Sequence, residues 1–290
     1  MDAPGAAPSA LRIATLTVVA MIAFAANSLL CRIALAHGTI DAASFSSIRL
    51  LAGALALALM LRLRRAAPVR AGADGWAAVM LFAYVALFSF AYLTLAAGTG
   101  ALILFGAVQL TMFGVGLYGG ERFRAGAWCG LALAVGGLVV LLSPGLAAPP
   151  LAGAAMMAGA GVAWGVYSLR GRGVADPLAA TAANFARATP LALLLSLVLV
   201  FDARVDAHGA ALAVASGALT SGLGYVIWYA ALPGLSALRA ATVQLSVPPI
   251  AVFGGVLFLS EAITLRLAAA SITILGGVAL VLASRSRRPA

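Results

Sequence analysis

The stretch WAAVMLFAYVALFSFAYLTLAAGTGALILFGAVQLTMFGVGLY, residues 76–118, decides the fold. It contains no charged residue, and it runs about twice the roughly 20 apolar residues with which an α-helix crosses a hydrocarbon core about 30 Å thick. A chain in water has no use for so long an uncharged run, whereas two membrane spans joined back to back account for it. Gly98-Thr99-Gly100 is the only break inside it, so the reading places spans over 76–96 and 99–118 with a very tight connection between them.

Outward from there the same pattern repeats, with apolar runs near 11–35, 42–63, 125–143, 151–170, 177–200, 209–230, 237–259 and 265–284. Pro233-Gly234 is the only break between the eighth and ninth spans. The whole chain of 290 residues is 64% hydrophobic and 9% charged, against roughly 25% charged in an average soluble domain. The composition therefore predicts an all-α integral membrane protein of ten transmembrane helices rather than two soluble domains. Ala23-Phe24-Ala25 resembles a signal-peptidase site, but the run continues to Ala36, too long for a cleaved leader, and is read as a mature span.

The formal charge of +10 comes from 18 basic residues, all arginine. They cluster between apolar runs rather than along one face, which excludes a nucleic-acid partner and fits the retention of positive residues in cytoplasmic loops. With the N-terminus inside, Arg12, Arg62, Arg64, Arg65, Arg70, Arg122, Arg124, Arg170, Arg172, Arg285, Arg287 and Arg288 fall on the inner side, and only Arg204 and Arg266 on the outer. Both termini are thus expected in the cytoplasm, which requires an even number of spans. Cys31 and Cys129 have no metal-ligand spacing and read as structural thiols; no metal and no cofactor is expected.

The chain also repeats itself at a shift near 138. Arg32 and Arg49 are 17 apart, as are Arg170 and Arg187; Val108-Gln109-Leu110-Thr111 answers to Val243-Gln244-Leu245-Ser246, Glu121 to Glu261, and Gly136-Gly137 to Gly276-Gly277. The second half needs about five extra residues after its glutamine. Five spans per repeat is an odd number, so residues 1–145 and 146–290 are expected as two inverted five-helix repeats joined by the linker Pro144 to Pro150, with substrate held at their interface near the midplane.

Ten spans, five-plus-five repeats and an acidic turn before a Gly-Gly final span in each half (Gly119-Gly120-Glu121 and Leu259-Ser260-Glu261) resemble the drug/metabolite transporter (DMT) superfamily, EamA type, over essentially the whole chain. Within it the sequence is most similar to the YddG-type aromatic amino acid exporters. The resemblance implies a multi-pass protein of the bacterial inner membrane that moves amino acids or other small metabolites without hydrolysing ATP.

The residues suggest where. Tyr84, Phe88 and Tyr92 fall at i, i+4 and i+8 of the third span, and Ser221, Tyr225 and Trp228 at i, i+4 and i+7 of the eighth. The two stripes either face each other across a cavity that stacks an aromatic or bulky apolar side chain, or serve helix packing and interface belts. Trp164 and Tyr167 of the sixth span carry the same two readings. Gln109, Gln244 and Asn27 face either a wet cavity or a neighbouring helix, because an unpaired amide costs several kcal/mol in hydrocarbon. Pro248 and Pro249 free the carbonyls of Gln244 and Leu245, which makes either a seat for a substrate ammonium or a simple kink.

Arg32, Arg49, Arg187 and Arg239 lie in or near spans and each needs a partner or a route to water. Arg187, three residues before Pro190, is the candidate partner for a substrate carboxylate; snorkelling to the interface is the alternative. Glu121 and Glu261 read as helix caps or arginine partners. Asp2, Asp41, Asp74, Asp176, Asp202, Asp206, His37 and His208 all fall in tails, loops or span ends. With no titrating group in a span centre, facilitated alternating access is expected, the alternative being a proton-coupled drug or metabolite exporter of the same superfamily. An intramembrane enzyme would need paired carboxylates, a metal cluster or an activated nucleophile that the spans do not supply. A structural or sensory subunit has no need of the repeat. Gly126 with Gly130 and Gly161 with Gly165 allow close helix approach, inside one bundle or at a homodimer face; a monomer is favoured. The expected partners are membrane lipid and a small molecule, an aromatic or apolar amino acid or a hydrophobic cation.

Overall fold

A computed structural model describes residues 10–64, 74–120, 123–145, 148–171, 174–232, 235 and 243–284. Ten helical segments occur among them: α1 Ala10–Ala36, α2 Ala42–Leu63, α3 Gly75–Ala91, α4 Ala97–Tyr118, α5 Ala125–Leu142, α6 Leu151–Arg170, α7 Pro177–Val198, α8 Ala207–Ala231, α9 Gln244–Leu259 and α10 Leu265–Ala283. Eight are long and apolar enough to cross a bilayer; α3 and α9 are apolar but shorter. Glu121, Arg239, Pro233-Gly234 and the arginines at 65, 70, 122, 172, 285, 287 and 288 lie outside the described residues.

The helices carry apolar residues all round because lipid replaces water. Large side chains such as Leu55, Leu59, Val139, Leu193, Leu197, Phe253, Leu257 and Ile272 are exposed on the flanks, where acyl chains solvate them, while backbone polar groups are satisfied inside each helix. Polar residues turn inward instead: Asn27, Ser28, Ser46, Arg49, Thr189, Ser216, Thr220 and Ser221 are all buried.

Helix partners come in matching sets. α6 packs on α3 and α4, and α1 packs on α8 and α9, five helices on; α2 packs on α7, and α5 on α10. Capping repeats in the same way. Asp41 and Asp176 accept the N–H of Ser44 and Ala179 at the starts of α2 and α7, while Asp74 and Asp206 accept those of Ala77 and Gly209 at the starts of α3 and α8.

Close crossings depend on glycine. A Cβ on Gly130 would fall 2.5 Å from the carbonyl oxygen of Gly277, and one on Gly277 equally close to that of Gly130, so α5 and α10 meet backbone to backbone. Gly161 likewise faces Leu104 and Ala107 of α4, and Gly165 faces Thr111. Both glycine pairs found in the sequence thus serve contacts within this bundle. Gly130→Leu is expected to push α5 and α10 apart at a cost of at least the 1–3 kcal/mol typical of overpacking, read as a lower melting temperature in detergent, with exposed-face Gly136→Leu close to the parent.

Two boundaries differ from the sequence expectation. α3 stops at Ala91, not 96, and the break falls at Tyr92–Ala96, while Gly98-Thr99-Gly100 lies inside α4. The turn is held from afar: Arg32 donates to the carbonyls of Tyr92 and Leu93 at 2.9 and 3.2 Å, and the Glu261 carboxylate accepts the Ala97 N–H at 2.8 Å. Gly98 and Gly100 are small because Val252 and the Tyr92 ring press on them. In α9, Pro248 and Pro249 stand in the first turn of the segment Val247–Leu259 that follows a short 3₁₀ turn, Gln244–Ser246. There a missing N–H costs little, and the Gln244 carbonyl accepts from the Val247 N–H instead. Pro190 does lie inside its helix, on an exposed side of α7.

The face bearing the α1–α2 connection is called upper here. Its α1–α2 and α7–α8 connections clasp through Asp41 N–H to Arg204 O (2.8 Å), Asp206 N–H to Thr39 O (2.9 Å) and an Ile40–Val205 bridge. Arg32 pairs with Glu261 at 3.3 Å on the same face. On the lower face, Arg64 pairs with Asp176 at 2.9 Å and Arg170 with Asp74 at 2.6 Å. All of these contacts join the first half of the chain to the second.

The carboxyls of Asp41, Asp74 and Asp176 are held below the usual carboxylate range. For Asp74 the cause is chiefly the Arg170 guanidinium; for Asp176 and Asp41, burial pushes upward but is outweighed, at Asp176 by the Ala179 N–H and Arg64, and at Asp41 by the Ser44 hydroxyl and backbone N–H donors. Because the folded values lie below the unfolded ones, near 3.9 for aspartate, this contribution is fully present above about pH 5 and is lost as pH falls through the folded values. Melting in detergent is expected to fall steeply below about pH 4, and less steeply in Asp176→Asn.

Candidate substrate cavity

Between the two faces lies a small cavity lined by α1 (Phe24, Asn27, Ser28), α3 (Tyr84, Phe88), α4 (Leu104, Phe105), α6 (Trp164), α8 (Thr220, Ser221, Tyr225) and the start of α9 (Gln244). Three lining helices come from each half of the chain. Its free volume is about 30 Å³, room for one or two waters and far below the roughly 300–1,000 Å³ of a ligand pocket. The structure is therefore closed around its centre. A larger hollow of about 250 Å³ opens at the upper rim among Thr94, Pro149, Val256, Glu261 and Thr264. Its one acid is already engaged by Arg32 and Ala97, so the chemistry concentrates in the smaller cavity.

Trp164 is the hub of the aromatic wall. Its ring stands 4.8 Å from Tyr84, 5.4 Å from Tyr225 in a stacked arrangement at 29°, and 5.4 Å from Tyr167. Tyr84 continues to Phe88 at 5.4 Å, and Tyr225 meets Phe24 and Phe185 edge-on at 5.9 and 6.2 Å. Five helices thus supply one continuous aromatic surface.

The polar side is a network rather than scattered groups. Asn27 donates to the Tyr84 hydroxyl at 3.3 Å and accepts from Ser216 at 2.7 Å and Thr220 at 3.3 Å. Ser216, Thr220 and Ser221 project from a π-helical stretch, Ser216–Leu223, within α8; such wide turns are frequent at functional sites. Gly217 in this stretch abuts the backbone carbonyl of Arg49, leaving no room for a Cβ. Arg49 is fully buried on α2. Its Nη2 donates to the Tyr84 hydroxyl at 3.1 Å and its Nε to Ser221 at 3.4 Å, and its guanidinium stands 5.1 Å from the Phe88 ring centre.

Of the residues singled out in the sequence, Asn27, Tyr84, Phe88, Trp164, Ser221, Tyr225 and Gln244 line the cavity. Tyr167 stands behind Trp164, and Trp228 is buried 6.1 Å from Phe24, outside the lining. Tyr92 turns away into the upper closure, with its hydroxyl on the Ala97 carbonyl at 3.2 Å and its ring edge-on to Phe88 at 4.7 Å. Gln109 is half-buried on α4 away from the cavity, and Arg187 is exposed on α7. Sequence reasoning passed over Phe24, Ser28, Phe105, Thr220 and Arg49's contacts. The signal for Arg49 was present in an arginine deep in the 42–63 run, but the expected repeat paired it with Arg187, which stood out through Pro190.

Residues 151–283 match the EamA-like transporter family. The chain is 55% identical to "Uncharacterized protein PA1977" of Pseudomonas aeruginosa over 277 residues, 95% of this chain and 96% of that protein. One crystal structure, 19% identical, superposes with a TM-score of 0.67 over 96% of this chain and 100% of its own; that likeness shows the fold alone.

Proposed function

The chain belongs to one family with the Pseudomonas protein and carries an EamA-like transporter domain, and on that footing we propose that it exports aromatic or bulky neutral amino acids and related small metabolites by alternating access. It is a multi-pass membrane transporter of small molecules; the substrate class and mechanism are the proposed part.

One observation carries the reading: a polar-aromatic cavity at the centre of six helices, three from each half of the chain, with ion pairs between the halves on both faces. Rocking the halves about that centre would break one set of contacts while keeping the other, which is the geometry expected of inverted repeats with a midplane site. The Trp164–Tyr84–Tyr225 surface suits a flat side chain, with stacking and edge contacts of about 0.5–1.5 kcal/mol each. The described lining residues include no carboxylate and no histidine, which favours facilitated movement down a gradient. The arginine distribution favours an inner-membrane protein with both termini in the cytoplasm.

The test is counterflow of labelled phenylalanine into proteoliposomes preloaded with unlabelled phenylalanine. Saturable, transient accumulation is the expected result. Absence of saturable flux for phenylalanine, tryptophan, leucine and other neutral amino acids would overturn the reading.

A further inference from the structure

Among the described residues Arg49 is the most buried charged side chain, and it is only partly used. Its side chain is 1% exposed, Nε and Nη2 reach hydroxyls, and Nη1 is buried with no hydrogen-bond partner. Every ion pair among the described residues involves another arginine: Arg32 with Glu261, Arg64 with Asp176, Arg170 with Asp74. A guanidinium at this depth without a counter-charge is unfavourable. Its two occupied nitrogens are held by Tyr84 and Ser221, which both line the cavity.

We infer that Arg49 is the carboxylate subsite of the substrate cavity, so that the protein selects ligands by an acidic group set beside an apolar or aromatic body. The inference rests on the transport reading above and adds what that reading leaves open, namely which end of the substrate is recognised. Guanidinium presents a planar fork that matches two carboxylate oxygens. In the closed state Tyr84 and Ser221 occupy part of the fork. As the cavity opens, a carboxylate takes their place and the unused Nη1, while the hydrophobic remainder lies against Phe88 and Trp164. No described lining residue is acidic, so an amine or hydrophobic cation meets an uncompensated positive charge and is rejected, whereas the ammonium of an amino acid is tolerated through its own carboxylate and the neutral Asn27 and Gln244.

The test separates the two ends of phenylalanine. 3-Phenylpropionate keeps the carboxylate and lacks the ammonium; phenethylamine keeps the ammonium and lacks the carboxylate. Against phenylalanine counterflow, 3-phenylpropionate is expected to compete with phenylalanine's own affinity within about tenfold, and phenethylamine not to compete at a hundredfold excess. Ligand-induced thermal shift of purified protein in detergent gives a readout independent of flux: 3-phenylpropionate raises the melting temperature of the parent but not of Arg49→Met, while Arg49→Lys keeps a weaker shift. Removing an unpaired buried charge leaves Arg49→Met melting at or above the unliganded parent, which separates loss of binding from loss of fold. Should Arg49→Met unfold, the Arg49→Lys shift and the competition pair decide alone. Competition by phenethylamine, or an undiminished shift in Arg49→Met, overturns the inference even where phenylalanine flux stands. Absence of all flux, with the shift intact, would instead overturn the transport reading.

Discussion

Glu261→Gln is expected to open the upper face. One carboxylate there does two tasks: it pairs with Arg32 on α1 and caps the start of α4 at Ala97, whose own N-cap residue, Ala96, offers no side-chain acceptor. It thereby ties the α9–α10 connection to both ends of the α3–α4 turn. Hydrogen bonds to a charged group contribute about 1.5–3 kcal/mol; with the pair 20% and 16% exposed, about 1–2 kcal/mol is a fair share, a factor of roughly 5–30 in the open population. Cys31, buried one residue before Arg32, reports on it, and Cys129 is an exposed second thiol to be replaced by serine. In that background maleimide labelling of Cys31 is expected to rise about fivefold or more in Glu261→Gln. Unchanged labelling would mean that this carboxylate does not hold the face closed.

The second large effect falls on Trp164. Its indole touches Tyr84, Tyr167 and Tyr225 at once, so Trp164→Ala removes the surface on which three other rings are ordered. Flux is expected to drop by at least tenfold. Truncation also costs stability, about 3–5 kcal/mol for a core aromatic, so the control is Trp164→Phe, which keeps a ring at the site. It should recover folding fully and transport in part. Trp128→Ala, at a half-exposed site edge-on to Phe113 and away from the cavity, is expected to leave transport unchanged.

Span positions were legible because lipid demands continuous apolar runs, and that demand is local. The α3–α4 turn was not legible, because Arg32 and Glu261 hold it from α1 and from the α9–α10 connection, and no pattern within residues 92–97 announces distant partners. The stripe of Tyr84 and Phe88 follows helical spacing faithfully, but Tyr92 lies just past the end of α3 and leaves the face that its i+8 position implied. On α8, the polar side chains Ser216 and Thr220 escaped notice because the π-helical turn that gathers them around Asn27 has no simple periodic signature. Arg49 and Arg187 show the limit most clearly. The sequence repeat pairs them, yet Arg49 stands eight residues after its cap Asp41 and is buried against the cavity wall, while Arg187 stands eleven after its cap Asp176 and faces outward. A three-residue difference in register turns a side chain by about 60° around a helix, which a spacing match along the sequence does not reveal.

Accessibility of position 221 from the two sides of the membrane tests the central claim most directly. Ser221 is buried at the cavity wall, and in a background of Cys31→Ser and Cys129→Ser a cysteine there is the sole thiol. The account predicts that Ser221→Cys reacts with a membrane-impermeant thiol reagent applied to either face of sealed proteoliposomes, and that phenylalanine protects it from both. Reaction from one face alone, or reaction that phenylalanine leaves untouched, would contradict a central site exposed alternately to the two sides.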